Sequence, residues 1–327
     1  MRRREFITLL GGAAAAWPLA ANAQQPKVPV IGFLESKSAR DSAQTVAAFH
    51  QGLNEATFIE RQNVAIEYRW ADNQHDRLPM LAADLVQRKV TLIVAPDTAS
   101  ARAAKAATTT IPIVFDTSLD PVAIGLVASL NRPGGNVTGI TSLNTEVASK
   151  RLELLHEVVP KATTIGLLVN QANPQLAHIN IADMQAASRT LALQIVVLNA
   201  SSNDEIDEAF AALVQQGIGA LVITPDAFFN SRSQQLAALV LRYALPAIAA
   251  HREFSMAGGL FSYGTSLTEI YSQLGVYAAK VLKGENPAEL PVSQSTKVEL
   301  IINLRTAKLL GLSFPTAVLA RANELIE

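Results

Sequence analysis

Short apolar runs alternate with Ala-rich amphipathic stretches along most of this chain, and the alternation occurs twice. The runs at 28–34, 64–70, 90–95, 111–115 and 137–141 read as buried strands. Between them Thr45, Ala48, Phe49, Gly52 and Leu53 fall at helical spacing, as do Leu78, Leu81, Ala82, Leu85 and Val86. A second series at 164–169, 194–198, 218–223 and 247–249 is interleaved with helical stretches near 175–192, 203–216 and 231–244. Strands that are apolar throughout and separated by helices predict parallel sheets with helices on both faces.

The two series also match each other. Ile31-Gly32 with Leu34 recurs as Ile165-Gly166 with Leu168, Pro96-Asp97 as Pro225-Asp226, and Ile111-Pro112 as Leu245-Pro246, each about 130 residues later. Ordered matches at nearly one offset predict two α/β lobes on one plan, which suits 327 residues. The remainder after residue 250 is too short for a third domain. Strands at 259–263 and 298–303 and helices at 267–282 and 306–310 would cross between the lobes and complete both sheets. The expected lobes are 24–141 with 261–290, and 142–260 with 291–327.

The first residues read as an address. Arg2-Arg3-Arg4 precedes an apolar run over 6–19, and Ala21-Asn22-Ala23 precedes Gln24. This is the pattern of a signal peptide cleaved after about Ala23. Arg3-Arg4-Glu5-Phe6-Ile7 resembles a twin-arginine signal, so Tat and Sec export both fit. Cleavage removes three Arg and one Glu and takes the formal charge from −1 to −3. No later stretch is apolar for 18 residues, and no Cys stands at the cleavage point to carry a lipid. The expectation is a periplasmic protein with no direct membrane anchor. A charge so near zero offers no electrostatic grip on nucleic acid.

Motifs for catalysis are missing. With 0 Cys, thiol chemistry, iron–sulfur clusters and Cys-ligated zinc are excluded. There is no G-x-S-x-G elbow, no phosphate loop and no dinucleotide fingerprint. Gly134-Gly135-Asn136-Val137-Thr138-Gly139 precedes a strand rather than following one, so it reads as a tight turn. The five His are at least 22 residues apart, which leaves no local metal cluster. No cofactor, metal or enzymatic activity is expected.

Polar residues do gather just after strand ends, where open α/β sheets bind ligands. Glu35 and Ser36 follow the first strand, Asp97 and Thr98 the third, and Asp116 the fourth. In the second series the matching places hold Asn170 and Asn173, then Thr224, Asp226 and Phe229, with Tyr263 further on. Each of these Ser, Thr, Asp and Asn residues is also an ordinary helix cap, so the case rests on the collection.

Several segments carry a family likeness: Thr108-Thr109-Thr110-Ile111-Pro112-Ile113-Val114-Phe115, Asp120-Pro121-Val122 with Gly125-Leu126-Val127, and above all Pro133-Gly134-Gly135-Asn136-Val137-Thr138-Gly139. In these the chain resembles the substrate-binding proteins of ABC transporters, of the type I periplasmic binding fold, in the family that includes tryptophan- and tyrosine-binding lipoproteins. The resemblance implies two Rossmann-like lobes joined by a multi-strand hinge of three crossings. It implies an Asn-rich loop, here Asn170-Gln171-Ala172-Asn173-Pro174, that cradles a ligand carboxylate. It also implies that Asp226, in Thr224-Pro225-Asp226-Ala227, meets a ligand ammonium, with Phe229 and Tyr263 there to stack on a ring or bury an aliphatic chain.

The expected function is that of a monomeric solute-binding protein of an ABC importer. It would close on an amino acid or small carboxylate and deliver it to a permease. Two alternatives stay open: a periplasmic ligand-sensing receptor, and a periplasmic α/β enzyme with an acid–base pair such as Asp116 and His251.

Overall fold

A computed structural model describes residues 28–142, 147–295 and 297–327. The leader pattern at 1–23 lies outside the described residues.

In the first lobe the strands are β1 (Val30–Glu35), β2 (Ala65–Trp70), β3 (Leu92–Ala95), β4 (Ile113–Thr117) and β5 (Val137–Thr141), interleaved with α1 (Ala43–Glu55), α2 (Leu78–Gln87) and α3 (Thr98–Ala107). The second lobe begins with α4 (Ala148–Val158). It continues through β6 (Thr164–Val169), α5 (Pro174–Thr190), β7 (Gln194–Asn199), α6 (Asn203–Gln215), β8 (Ala220–Ile223), α7 (Ala227–Ser231), α8 (Ser233–Arg242), β9 (Ala247–Ala249), α9 (Arg252–Met256) and β10 (Phe261–Thr265). The chain closes with α10 (Leu267–Leu282), β11 (Ser293–Gln294), β12 (Val298–Asn303), α11 (Leu304–Leu309), α12 (Thr316–Leu319) and β13 (Glu324–Ile326).

The internal repeat becomes topology. The first sheet runs β11-β5-β4-β3-β1-β2 and the second β13-β12-β10-β9-β8-β6-β7, so β1 to β5 and β6 to β10 are laid out in one order. Matched residues take matched places. Asp97 and Asp226 cap the helices after β3 and β8, accepting from Ser100 N and Phe228 N at 2.9 Å each. Pairing is parallel except between β10 and β12, where Phe261 faces Ile302.

Why the strands read as near-continuous apolar runs is now plain: each sheet is covered on both faces. Ile31 and Phe33 pack beneath α1 and α10, whereas Leu34, Ile93 and Phe115 pack beneath α2 and α3. In the second lobe Leu167, Val222 and Ile248 face α4 and α5, and Leu168, Leu221 and Ile223 face α6 and α8.

In the described residues the chain passes between the sheets three times, after β5, after β10 and after β11. The first two passes mirror each other: the strand that ends each five-strand series hands a helix to the opposite lobe. Thus α4 packs on the second sheet and α10 on the first. The strand–helix order is as expected, but two boundaries move. Residues 261–265 pair with β9 and β12 in the second sheet, and Ser293–Gln294 pairs with β5 in the first. The expected limit at 261 put β10 in the first lobe, but the crossing follows β10, and the limit at 290 stops short of β11, a strand of two residues that closes the edge of the first sheet.

The glycine-dense turn is structural. Gly134 and Gly135 adopt φ of 72° and 66°. Asn136 Nδ2 then donates to the carbonyl of Ile111 at 2.7 Å, tying the start of β5 to the start of β4.

Candidate functional site

The strand order 2-1-3-4-5 reverses direction between the first and third strands of each lobe, and such a switch point opens a crevice at the strand carboxyl ends. The two crevices face each other across one cleft of about 70 Å³. From the first lobe it is lined by Ser36 and Lys37 after β1, Asp97 and Thr98 after β3, and Asp116 in β4. The second lobe adds Asn173, Asp226, Asn230 and His251, and α10 adds Leu267 and Tyr271. His75, Ser118, Ser142 and Leu176 are also part of the wall.

Three carboxylates line this space. Asp97 accepts from Ser36 N at 3.1 Å and Ser100 N at 2.9 Å, which holds the β1 loop against the start of α3. Asp226 Oδ1 accepts from Asn170 Nδ2 and Phe228 N, both at 2.9 Å. Burial pushes the Asp226 carboxyl above its ordinary range, and the Asn170 hydrogen bond pulls back. Asp116 is raised well above it, first by burial and then by the neighbouring charge of Asp97. One of its oxygens, Oδ1, is buried with no hydrogen-bond partner.

The cations are fewer. Lys37, buried with the sheet end, places Nζ 2.8 Å from Glu35 Oε1 and 5.2 Å from the centroid of the Tyr271 ring. Tyr271 donates its hydroxyl to the same Glu35 oxygen at 2.6 Å. His251 places Nδ1 3.2 Å from the carbonyl of Thr265, so Nδ1 carries the proton and Nε2 keeps its lone pair. Burial holds its pKa down to about 4, and the imidazole is neutral at pH 7.

Two contacts join the lobes beside the cleft. Arg232 Nη1 stands 3.3 Å from Asp41 Oδ2, and Arg102 donates to the Gln175 side-chain oxygen. Arg232 lies between α7 and α8 and Asp41 just before α1, whereas Arg102 and Gln175 lie in α3 and α5.

Of the residues expected at the site, Ser36, Asp97, Thr98, Asp116, Asn173 and Asp226 line the cleft. Five do not. Glu35 lies on the α10 face of its sheet, bound to Lys37 and Tyr271. Asn170 holds Asp226 and the amide of Ala172, and Thr224 donates to the carbonyl of Leu168 at 2.8 Å. Phe229 is packed in the core under α8, beside a small cavity of about 10 Å³. Tyr263 packs on the opposite face of the second sheet, its carbonyl accepting from buried Arg151 at 3.1 Å. Neither ring is placed to stack on a ligand in the cleft.

Sequence reading did not place Lys37, His75, Ser142, Asn230 or Tyr271 at the site, and it named His251 only as half of an acid–base pair in the enzyme alternative. Lys37 had the same loop position as Ser36. Tyr271 had no such signal, because only the crossing after β10 brings α10 over the first sheet. Among the described residues no group of His, Asp and Glu is placed to hold a metal, and no helix is long and apolar enough to cross a membrane.

Comparison with known proteins adds four findings. A family model described as ABC transporter substrate binding protein matches residues 27–326. A tyrosine-binding protein of Clostridioides difficile strain R20291 is 29% identical over 264 residues, covering 81% of this chain and 75% of that one. Among solved structures, an ABC domain in complex with L-Trp from Streptococcus pneumoniae superposes with a TM-score of 0.81 at 24% identity, over 91% of this chain and 99% of that one. A ligand-free, open substrate-binding protein from Clostridium difficile gives only 0.64 at 27% identity, over the same 91% of this chain and 99% of its own.

Proposed function

The chain belongs to the ABC transporter substrate-binding protein family, and from that premise we propose that it is an exported solute carrier whose lobes close on an amino acid. The observation that carries this reading is the pair Asp97 and Asp226, helix caps at matched places in the two lobes, facing one cleft. A ligand ammonium between them touches both lobes, and contacts made only when the lobes are together shift the population toward the closed form. Its carboxylate meets Lys37 and the start of α5, where Asn173 makes no side-chain cap bond of its own.

Two further observations support this. The higher score against the L-Trp complex than against the open, ligand-free protein, despite lower identity, accords with lobes drawn together. The Arg232–Asp41 pair bridges the lobes in that arrangement. The leader pattern at 1–23 supports export to the periplasm, where in this reading the closed pair of lobe surfaces docks on a permease of an ABC importer.

A thermal-shift screen of the protein without its leader against amino acids, amines, small carboxylates and sugars tests the reading. An amino acid or amine present at 100 times its Kd is expected to stabilise the fold by about 2.7 kcal/mol. A shift given by sugars or carboxylates alone, with every amino acid and amine inert, contradicts it.

A further inference from the structure

The charges in the cleft do not match a zwitterion. Asp97, Asp116 and Asp226 all line it; the basic groups facing them are Lys37, already paired with Glu35, His251, which is neutral, and His75 on the side of Asp226. A neutral amino acid brings one ammonium and one carboxylate, so it leaves the excess of negative charge as it was. A buried carboxyl without a counter-charge is held toward its neutral form, as Asp116 is, and a cationic ligand supplies the charge that lets it ionise and accept.

Asp116 marks where the missing charge belongs. It is 6% exposed, stands at the carboxyl end of β4, and faces the cleft with Oδ1 unpartnered. Ser36, 1% exposed on the same wall, also has a hydroxyl without a partner. Among the described residues the cleft meanwhile shows no aromatic clamp. Tyr271 is the one aromatic ring besides the imidazoles among its lining residues, and Lys37 lies over that ring.

We propose that the ligand is a dibasic amino acid or diamine, with one nitrogen held between Asp97 and Asp226 and a second basic nitrogen, ammonium or guanidinium, seated on Asp116 and Ser36. This rests on the reading of the chain as an amino-acid carrier and narrows its substrate class. The unpartnered Asp116 oxygen then accepts a charge-assisted hydrogen bond, and the Ser36 hydroxyl accepts another.

Calorimetric titration at pH 7 with L-arginine, L-lysine and putrescine, against L-leucine and L-tyrosine, tests it. At least one dibasic probe is expected to bind ten or more times tighter than either neutral amino acid. Asp116→Asn, which keeps the shape of the side chain, is expected to abolish that preference while the melting temperature stays within a few degrees. L-leucine or L-tyrosine binding as tightly as the dibasic probes overturns the inference and leaves the amino-acid reading standing. So does a preference that survives Asp116→Asn. No binding by any of the five probes overturns the inference as well, and the amino-acid reading then falls only if the full screen of amino acids and amines is also silent.

Discussion

Asp226→Ala is expected to weaken ligand binding about a hundredfold, equivalent to about 2.7 kcal/mol, in a protein that remains folded. The carboxylate is buried at the cleft wall, where a hydrogen bond to a cationic group is strong because little water competes. Truncating one partner of such a pair costs roughly 2–5 kcal/mol of binding free energy. The fold has less to lose. Ala removes the cap of α7, a helix of 5 residues, and leaves the Asn170 amide without its acceptor. Those losses come to roughly 1–3 kcal/mol. They are partly offset, because burial holds this carboxyl above its ordinary range and so disfavours its charged form in the fold. Calorimetry and a melting curve on the same preparation separate the two effects. Unchanged affinity removes Asp226 from the site.

The largest effect on stability is expected from Gly275→Val. Helices α1 and α10 cross with their backbones in contact. A Cβ built at Gly275 lies 2.3 Å from the carbonyl oxygen of Phe49, and one at Gly52 lies 1.9 Å from that of Ser272. The nearest atoms at both positions are backbone, so added carbon must push the helices apart. With them move Phe49, Leu53, Ile270 and Leu274, which cover one face of the first sheet. Overpacking costs about 1–3 kcal/mol where the surroundings can adjust, and more where they cannot. At 2–4 °C per kcal/mol for chains of this size, Gly275→Val is expected to lower the melting temperature by roughly 10 °C, with Gly275→Ala intermediate. A valine variant that melts with the parent contradicts backbone contact at this crossing.

The strands were legible because both faces of each sheet are covered, which forces runs such as Ile31–Leu34 and Leu221–Ile223 to be apolar throughout. The repeat was legible for a similar reason: Pro96-Asp97 and Pro225-Asp226 each end a strand and cap a helix, so both lobes need the same residues there. Short edge strands such as Ser293–Gln294 and Glu324–Ile326 carry no such pattern, and they went unread. So did α4, whose start has no side-chain cap.

The site was legible where topology alone makes it, at the ends of β1, β3, β4 and β8 with the start of α5. It was not legible where tertiary packing decides. Polar residues beside the cleft divide into those that face it, such as Asp116, and those occupied in holding their neighbours, such as Asn170 and Thr224. Nothing in the local sequence distinguishes them. Glu35 shows the same limit, since its partner Tyr271 lies 236 residues away and arrives only through the second crossing.

The central claim is that two similar lobes close on a ligand held between them. With 0 Cys in the chain, thiols placed at Ala39→Cys and Asp204→Cys carry spin labels at unique sites. Both positions are exposed and lie next to residues of the cleft rim, Asp41 in one lobe and Asn203, which accepts from Arg232, in the other. The distance distribution between them is expected to be broad without ligand, and to shift to a shorter, narrower one when a stabilising ligand from the screen is added to saturation. A distribution that is the same with and without that ligand contradicts the account.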